Sequence, residues 1–517
     1  MKTNLSTPCM IEWKQRYSDV LYCFLMFVVY CLIYGLVMFR FGIVSDEAAD
    51  AFAEINYVNV SNGRWGVYFW HLWFGRGVFP LVAGLVSGIA IVVGLLIQTR
   101  VLGIYQFVTR CLYGCIYLSC VQWSSQLEFS CQSDVVGISV LMSSLSVCLF
   151  LRKGVLNIFA AVLLIACSIA CYHTAVMNAF LLMFVVWIQS QFASRNGTRD
   201  LFVYSALCCV GLLVWYVIMK LVQLAVLPSV SANVMSSYQS NFENWSTLAQ
   251  VDSLEMKIRM FLHFTVKVPF EKIICIWEHP AQWVYTGSII PMLILMVHAW
   301  KRLGKCRAVV VIMALGLVLY LPYSMDALFL YEMPERVHLA APLSVALIWA
   351  LLIKNVNITP KSRQYLYCGG AMAVISAMYA VGGKARDEMY RYSRAKEEML
   401  QMYVRGLETA SRAQLEDCRI ILLGTPEPPA LKEGEGKMTK VDALFCYNRP
   451  MNRFLQGAWD AEMYRRYFRL HQMSIGKAAD YERHWQAFET MPSWPAVGSV
   501  KAFGDEVIIK LGSEVAK

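Results

Sequence analysis

The sequence predicts a polytopic α-helical membrane protein, with about eleven transmembrane helices followed by a small α+β C-terminal domain. Three observations predict it. The 517 residues are 58% hydrophobic and only 16% charged, where a soluble globular chain carries about 25% charged residues. Apolar runs of spanning length recur along the chain. Charge is scarce up to Gly383 and ordinary after it. That shift divides the chain into a transmembrane domain, 1–383, and a C-terminal domain, 384–517.

A helix crossing the hydrocarbon needs roughly 20 mostly apolar residues. The runs that supply them are Leu21–Phe41, Val78–Gln98, Val101–Trp123, Val135–Leu151, Val155–Tyr172, Ala175–Trp187, Leu201–Leu227, Trp283–Trp300, Ala308–Pro322, Leu339–Ile353 and Tyr365–Val381. The first is too long for a signal-peptide core and no small-residue cleavage site follows it, so it reads as a retained anchor. In the tail, 383–412 reads as an amphipathic helix and Arg419–Leu423 as a strand. Residues 498–511 read as a hairpin turning at Gly504-Asp505.

Basic residues set the orientation. Lys14 and Arg16 precede the first span. Arg100, Arg152 with Lys153, Arg195 with Arg199, the cluster from Lys301 to Arg307, and Lys354 with Lys361 and Arg363 mark every second loop. Those loops are expected in the cytoplasm. The N-terminus is then cytoplasmic, and an odd number of spans puts the tail outside, in the periplasm of a Gram-negative cell. The net charge of +10 is explained by these loops. With no zinc-finger spacing and no continuous basic stripe, nucleic acid is not an expected partner.

The chain has 17 cysteines and no C-x-x-C pair, and most fall in apolar runs, where a thiol acts as a small hydrophobe. Cys418 and Cys446 lie in the tail. They are expected as free thiols, with a disulfide as the alternative in an oxidising compartment. There is no Walker A sequence, G-x-S-x-G, H-E-x-x-H or Rossmann fingerprint. No internal repeat supports a transporter, and no His/Cys/Asp/Glu cluster calls for a metal. Neither metal nor cofactor is expected.

The candidate chemistry gathers in the outer loops. Asp46 and Glu47 follow the first span. A partly desolvated carboxylate there gains basicity and suits a general base, although the pair also fits a solvated acidic loop. Arg64 and Trp65 follow in Asn62-Gly63-Arg64-Trp65, ahead of an aromatic run from Tyr68 to Phe74 and then Arg76. An arginine clamps a phosphate and a tryptophan stacks on sugar, but interfacial anchoring explains the same residues. Asp134 opens the fourth span, and His173 lies between the fifth and sixth; each alone reads as a cap or a loop residue. Arg336 and His338 sit in Pro334-Glu335-Arg336-Val337-His338. Cations at that depth need a partner. A lipid phosphate is one; Asp326, Glu332 and Glu335 are the others. The long outer loop from Pro228 to Gln282 is expected to hold a helix near 252–266.

Taken together these residues resemble the serotype-converting O-antigen glucosyltransferases of enteric bacteria and their phages. The resemblance spans nearly the whole chain. It rests on the acidic pair Asp46 and Glu47, on Gly63-Arg64-Trp65 and Gly75-Arg76, on the span opening with Asp134, and on the ending from Met491 to Val500. The family's acidic pair is usually Asp-Asp; here the second member is Glu47. The resemblance implies a GT-C-like membrane glycosyltransferase that takes glucose from undecaprenyl phosphoglucose at the periplasmic face of the inner membrane. It would transfer the sugar, with inversion, to the lipid-linked O-antigen repeat. A separate synthase would make the donor and a small flippase would present it. Asp46 or Glu47 would be the catalytic base. Arg64, Trp65, Arg76, Asp134, Arg336 and His338 would bind the donor phosphate or sugar, and the tail and the Pro228 to Gln282 loop would hold the acceptor. The rival readings are an O-antigen polymerase or ligase, a membrane O-acyltransferase, and a lipid or sugar transporter. The acidic first loop favours a transferase needing a base.

Overall fold

The computed structural model describes residues 8–39, 59–74, 80–120, 122–127, 130–195, 197–226, 253–274, 287–330, 337–415, 418–424, 472–476 and 478–512. Among these, seven helices are long and apolar enough to cross a membrane: Gln15–Phe39, Leu81–Val101, Gln132–Arg152, Ala175–Phe192, Thr198–Val226, Lys305–Leu328 and Pro360–Gly383. Three shorter apolar helices accompany them: Phe107–Leu118, Val155–Cys171 and Ala341–Asn355. This is the architecture of a mostly helical chain compatible with a polytopic membrane protein. Contacts divide the chain into two compact units, with a boundary between Gly383 and Lys384.

In the first unit the buried positions follow helical periodicity. Helix Pro8–Phe39 buries Tyr22, Met26, Tyr30, Ile33, Tyr34 and Val37, at spacings of three and four. That stripe packs on helix Pro80–Val101, where the Tyr30 hydroxyl donates to the Gly84 carbonyl at 2.9 Å. Three serine hydroxyls of one apolar helix are satisfied locally. Ser139, Ser143 and Ser146, all in helix Ser130–Arg152, donate to carbonyls three residues back, at 2.6, 2.9 and 2.7 Å. This is the low-cost way to bury a serine where no water is at hand.

Arg100, Arg110 and Lys354 are held by partners near helix ends. Asp19 receives Arg110 at 2.7 Å and also Arg100, while Arg110 stacks over the Tyr22 ring at 4.6 Å. Lys354 donates to the Leu102 carbonyl at 2.6 Å. One carboxylate thus joins three helices at the end of the bundle expected to face the cytoplasm.

Two expected elements differ from the structure. The run from Val101 to Trp123 is not one span. Gly103, at φ +67°, closes the preceding helix: its N–H bonds the Arg100 carbonyl at 3.0 Å and the Ile104 N–H bonds that of Thr99 at 2.8 Å. This is a Schellman stop that a side chain disfavours. The chain then forms helix Phe107–Leu118 and the short helix Gln122–Leu127. Hydropathy across the stop is unbroken, so the run alone conceals it. Conversely, helix Pro360–Arg412 continues through Gly382 and Gly383, where one helix is expected to end at Val381 and another to begin at 383. Strong helix formers on both sides offset the roughly 1 kcal/mol per glycine that a helix interior loses.

The second unit holds a four-stranded sheet in the order β2-β1-β4-β3, with β1 Arg419–Leu423, β2 Met473–Ile475, β3 Val500–Phe503 and β4 Glu506–Lys510. β1 runs parallel to β2 and β4; β3 and β4 form an antiparallel hairpin through Gly504-Asp505. Ile420, Leu422, Val507 and Ile509 pack against Met402 and Ala410. Ile421, Leu423 and Ile508 pack against Tyr481, Phe488 and Met491. With both faces covered, β1 is a continuous apolar run rather than an alternating one. Cys418 is buried beside this core; Cys446 lies outside the described residues.

Candidate active site

The site begins with a turn. Residues 59–63 end at Gly63, whose φ is +76°. The Gly63 N–H bonds the Val60 carbonyl at 3.0 Å, and the Arg64 N–H bonds that of Asn59 at 2.7 Å. The turn is pinned to helix Thr198–Val226. The Trp215 indole donates to the Gly63 carbonyl at 2.9 Å, and Gln223 donates to the carbonyls of Val60 and Ser61 at 3.2 and 3.1 Å. A Cβ on Gly63 would stand 2.8 Å from both the Trp215 and Met219 side chains. Glycine is therefore required by backbone conformation and by space alike.

This turn fixes Arg64. Its Nη1 donates to the Gln132 side-chain oxygen at 2.8 Å, and its guanidinium stacks over the Tyr172 ring, 5.2 Å from the centroid. Gln126 donates to the Tyr172 hydroxyl at 2.8 Å, so the ring beneath the cation is itself held. Helix Trp65–Phe74 starts at the next residue. Its Trp70 indole donates to Asp134 Oδ2 at 2.7 Å, while Asp134 Oδ1 accepts the Val135 N–H at 2.8 Å. The Trp65 indole N–H is buried with no hydrogen-bond partner among the described residues.

His173 completes the group. Its ring meets Trp215 edge-on, with centroids 5.3 Å apart. Burial first, and the Arg64 guanidinium second, push its imidazole from the ordinary 6.5 down to about 3, against a backbone hydrogen bond at Asn62 that raises it. A neutral buried histidine has a consequence for stability. Below about pH 6.5 the unfolded chain binds a proton that the folded chain refuses until far lower pH. Stability therefore falls as pH drops through that window, by roughly 1.4 kcal/mol per unit. Thermal melts in detergent should show a steeper loss between about pH 6.5 and pH 4 for the wild type than for His173→Gln. Parallel curves would refute this protonation state.

Of the residues singled out from sequence, Arg64, Trp65 and Asp134 come together here, with His173 beside them. His338 belongs to a different group. Its Nε2 lies 3.3 Å from Asp326 Oδ2, with both side chains fully buried. Its Nδ1 lies 3.0 Å from the Pro322 carbonyl, and its ring packs on Tyr323 with centroids 4.8 Å apart. Of the partners proposed for His338, the structure supplies Asp326. Asp46, Glu47, Arg76 and Arg336 lie outside the described residues. Sequence reasoning missed Trp70, Gln132, Gln126 and Tyr172 as members of the site. Only the Trp70 position, two residues into the aromatic run from Tyr68 to Phe74, hinted at its part.

Residues 35–353, well over half of the chain, match the family Glucosyl transferase GtrII. The chain belongs to the GtrII glucosyl transferase family. The resemblance read from sequence is thereby borne out, and the GtrII match covers all eight proposed site residues. It ends at residue 353, ahead of helix Pro360–Arg412 and the sheet. No curated protein matches the chain, and no solved structure does. Membership makes the chain a glucosyltransferase. The cluster described above offers what such chemistry uses: a guanidinium held in place, aromatic faces around it and a carboxylate at a helix start.

Proposed function

We propose that the chain transfers a glucosyl residue from undecaprenyl phosphoglucose to a sugar of the lipopolysaccharide O-antigen repeat. The reaction takes place at the periplasmic face of the inner membrane and alters serotype. One observation carries the reading: within a GtrII glucosyl transferase, Arg64 is held between Gln132 and Tyr172 beside the aromatic helix Trp65–Phe74. A guanidinium fixed in this way meets a phosphate with little loss of side-chain freedom.

The step is a single displacement with inversion. The acceptor hydroxyl oxygen attacks the anomeric carbon, the bond from that carbon to the phosphate oxygen breaks, and the lipid phosphate leaves with the electron pair. Asp46 or Glu47 takes the hydroxyl proton. Arg64, with Arg76 and Arg336, neutralises charge growing on the leaving phosphate. Trp65 stacks on the glucose and offers its indole N–H. Asp134 acts through Trp70, aligning the aromatic helix. The fold is of the GT-C type, with the N-terminus in the cytoplasm and residues 384–517 in the periplasm beside the acceptor glycan. Outside the chain, a donor synthase and a donor flippase supply the lipid.

The test is transfer of radiolabelled glucose from undecaprenyl phosphoglucose to lipid-linked O-antigen by purified protein. The wild type should transfer. Asp46→Asn or Glu47→Gln, whichever residue is the base, should lose about 100-fold or more in rate. Full activity in both variants would remove the assigned base. No transfer by folded wild type with its cognate acceptor would overturn the donor or acceptor assignment.

A further inference from the structure

Residues 253–274 form a helical segment whose chemistry the transfer reaction does not use. Ser253 caps it, accepting the Met256 N–H at 3.4 Å. Helix Leu254–Leu262 passes into a π-helical turn, His263–Lys267, and then into helix Val268–Ile274. Leu254, Ile258, Phe261 and Leu262 fall at i, i+4, i+7 and i+8 and so share one face. Glu255, Arg259 and His263, also at fourfold spacing, form a separate stripe, where Arg259 pairs with Glu255 at 2.9 Å.

The apolar face is uncovered. Leu254, Ile258, Phe261, Leu262, Val266 and Phe270 are each between 45% and 72% exposed. Water does not stabilise so many adjacent large apolar side chains. The segment is tethered to a neighbouring helix. The Tyr320 hydroxyl donates to the Thr265 carbonyl at 2.9 Å, and Val268 is buried. Tyr320 is the last residue of helix Lys305–Tyr320, within a candidate span. The segment is therefore held against the end of helix Lys305–Tyr320, which itself exposes Val309, Val310, Met313 and Leu317.

We propose that 253–274 is an in-plane membrane helix. Its apolar face is seated in the acyl chains of the leaflet at the Tyr320 end, and Lys257, Arg259 and Lys267 lie in the headgroup layer. Amphipathic helices of this kind bury one face a few ångströms below the headgroups. This half of the loop from Pro228 to Gln282 then meets lipid, not the acceptor glycan assigned to it from sequence.

The test uses full-length protein in phosphatidylethanolamine–phosphatidylglycerol nanodiscs. A fluorescent amino acid, acridonylalanine, replaces Phe261 in one variant and Glu255 in another. Lipids carrying a doxyl group on the acyl chain should quench the probe at 261 at least roughly two-fold more than the probe at 255, and aqueous iodide should show the opposite order. Quenching of the 261 probe by iodide would mean a water- or glycan-facing surface. Quenching by neither agent would mean that protein, such as a second copy, covers the face. Either result overturns the proposal. Probes at Ile258 and Leu262 give the same reading should the Phe261 variant fail to reconstitute. No readout depends on glucosyl transfer.

Discussion

Replacing Arg64 with glutamine is expected to slow glucosyl transfer by about 100- to 1000-fold, the cost of removing one preorganised charge stabiliser from a developing oxyanion. The expectation rests on how much of the protein is used to hold this one cation. The turn at Gly63 is pinned by Trp215 and Gln223. The guanidinium is braced by Gln132 on one side and Tyr172 on another. Arg64→Lys keeps the charge and loses the planar fork and the stacking, so it should recover only part of the rate. Gln132→Ala keeps the cation and removes one brace. It should slow transfer less than Arg64→Gln, by about ten-fold, because a loosened cation still neutralises charge. Steady-state transfer rates with unchanged melting temperatures are the measurement. Wild-type rates in Arg64→Gln would take the residue out of the chemistry and leave it as packing for Tyr172.

Much of the bundle could be read from sequence because hydrocarbon imposes one rule, an apolar run long enough to cross, and the runs are visible one by one. The reading failed where a local backbone event outranked hydropathy. Gly103 ends a helix inside an unbroken apolar run, and Gly382-Gly383 does not separate the span ending at Val381 from the helix that follows it. The strand at Arg419–Leu423 and the hairpin at Gly504-Asp505 were legible from β-branched content and turn chemistry. The site was legible as a set of residue types, not as an arrangement. Arg64 meets Gln132 across 68 positions and Trp70 meets Asp134 across 64; no local pattern encodes such pairings. Asp326 and His338, only twelve apart, were within reach of sequence reasoning as one of several charge pairs. What selects that pair is the way the chain folds back between helices Lys305–Tyr320 and Ala341–Asn355, which no spacing reveals.

That fold-back carries the second large effect. Truncating Asp326 or His338 to alanine is expected to cost roughly 3 to 5 kcal/mol, because it removes one side of a fully buried ion-pair contact. The geometry leaves little relief. Both side chains are fully buried, with Nε2 on the carboxylate and Nδ1 on the Pro322 carbonyl. Helix Ala341–Asn355, buried along most of its length, begins three residues after His338, and Ser344 ties it to the Val318 carbonyl at 2.6 Å. Loss of the pair should therefore free the start of this helix. The double variant Asp326→Leu with His338→Phe removes both polar groups and should recover much of the loss, since a buried pair replaced by apolar side chains of similar size is often neutral. Thermal unfolding in detergent reads all three proteins. Single variants within about 0.5 kcal/mol of wild type would refute a structural role. The same set separates two accounts of His338. A phosphate-binding residue would lose transfer in His338→Gln at unchanged stability. A structural one would lose stability, with the surviving folded protein transferring glucose at a rate near that of the wild type.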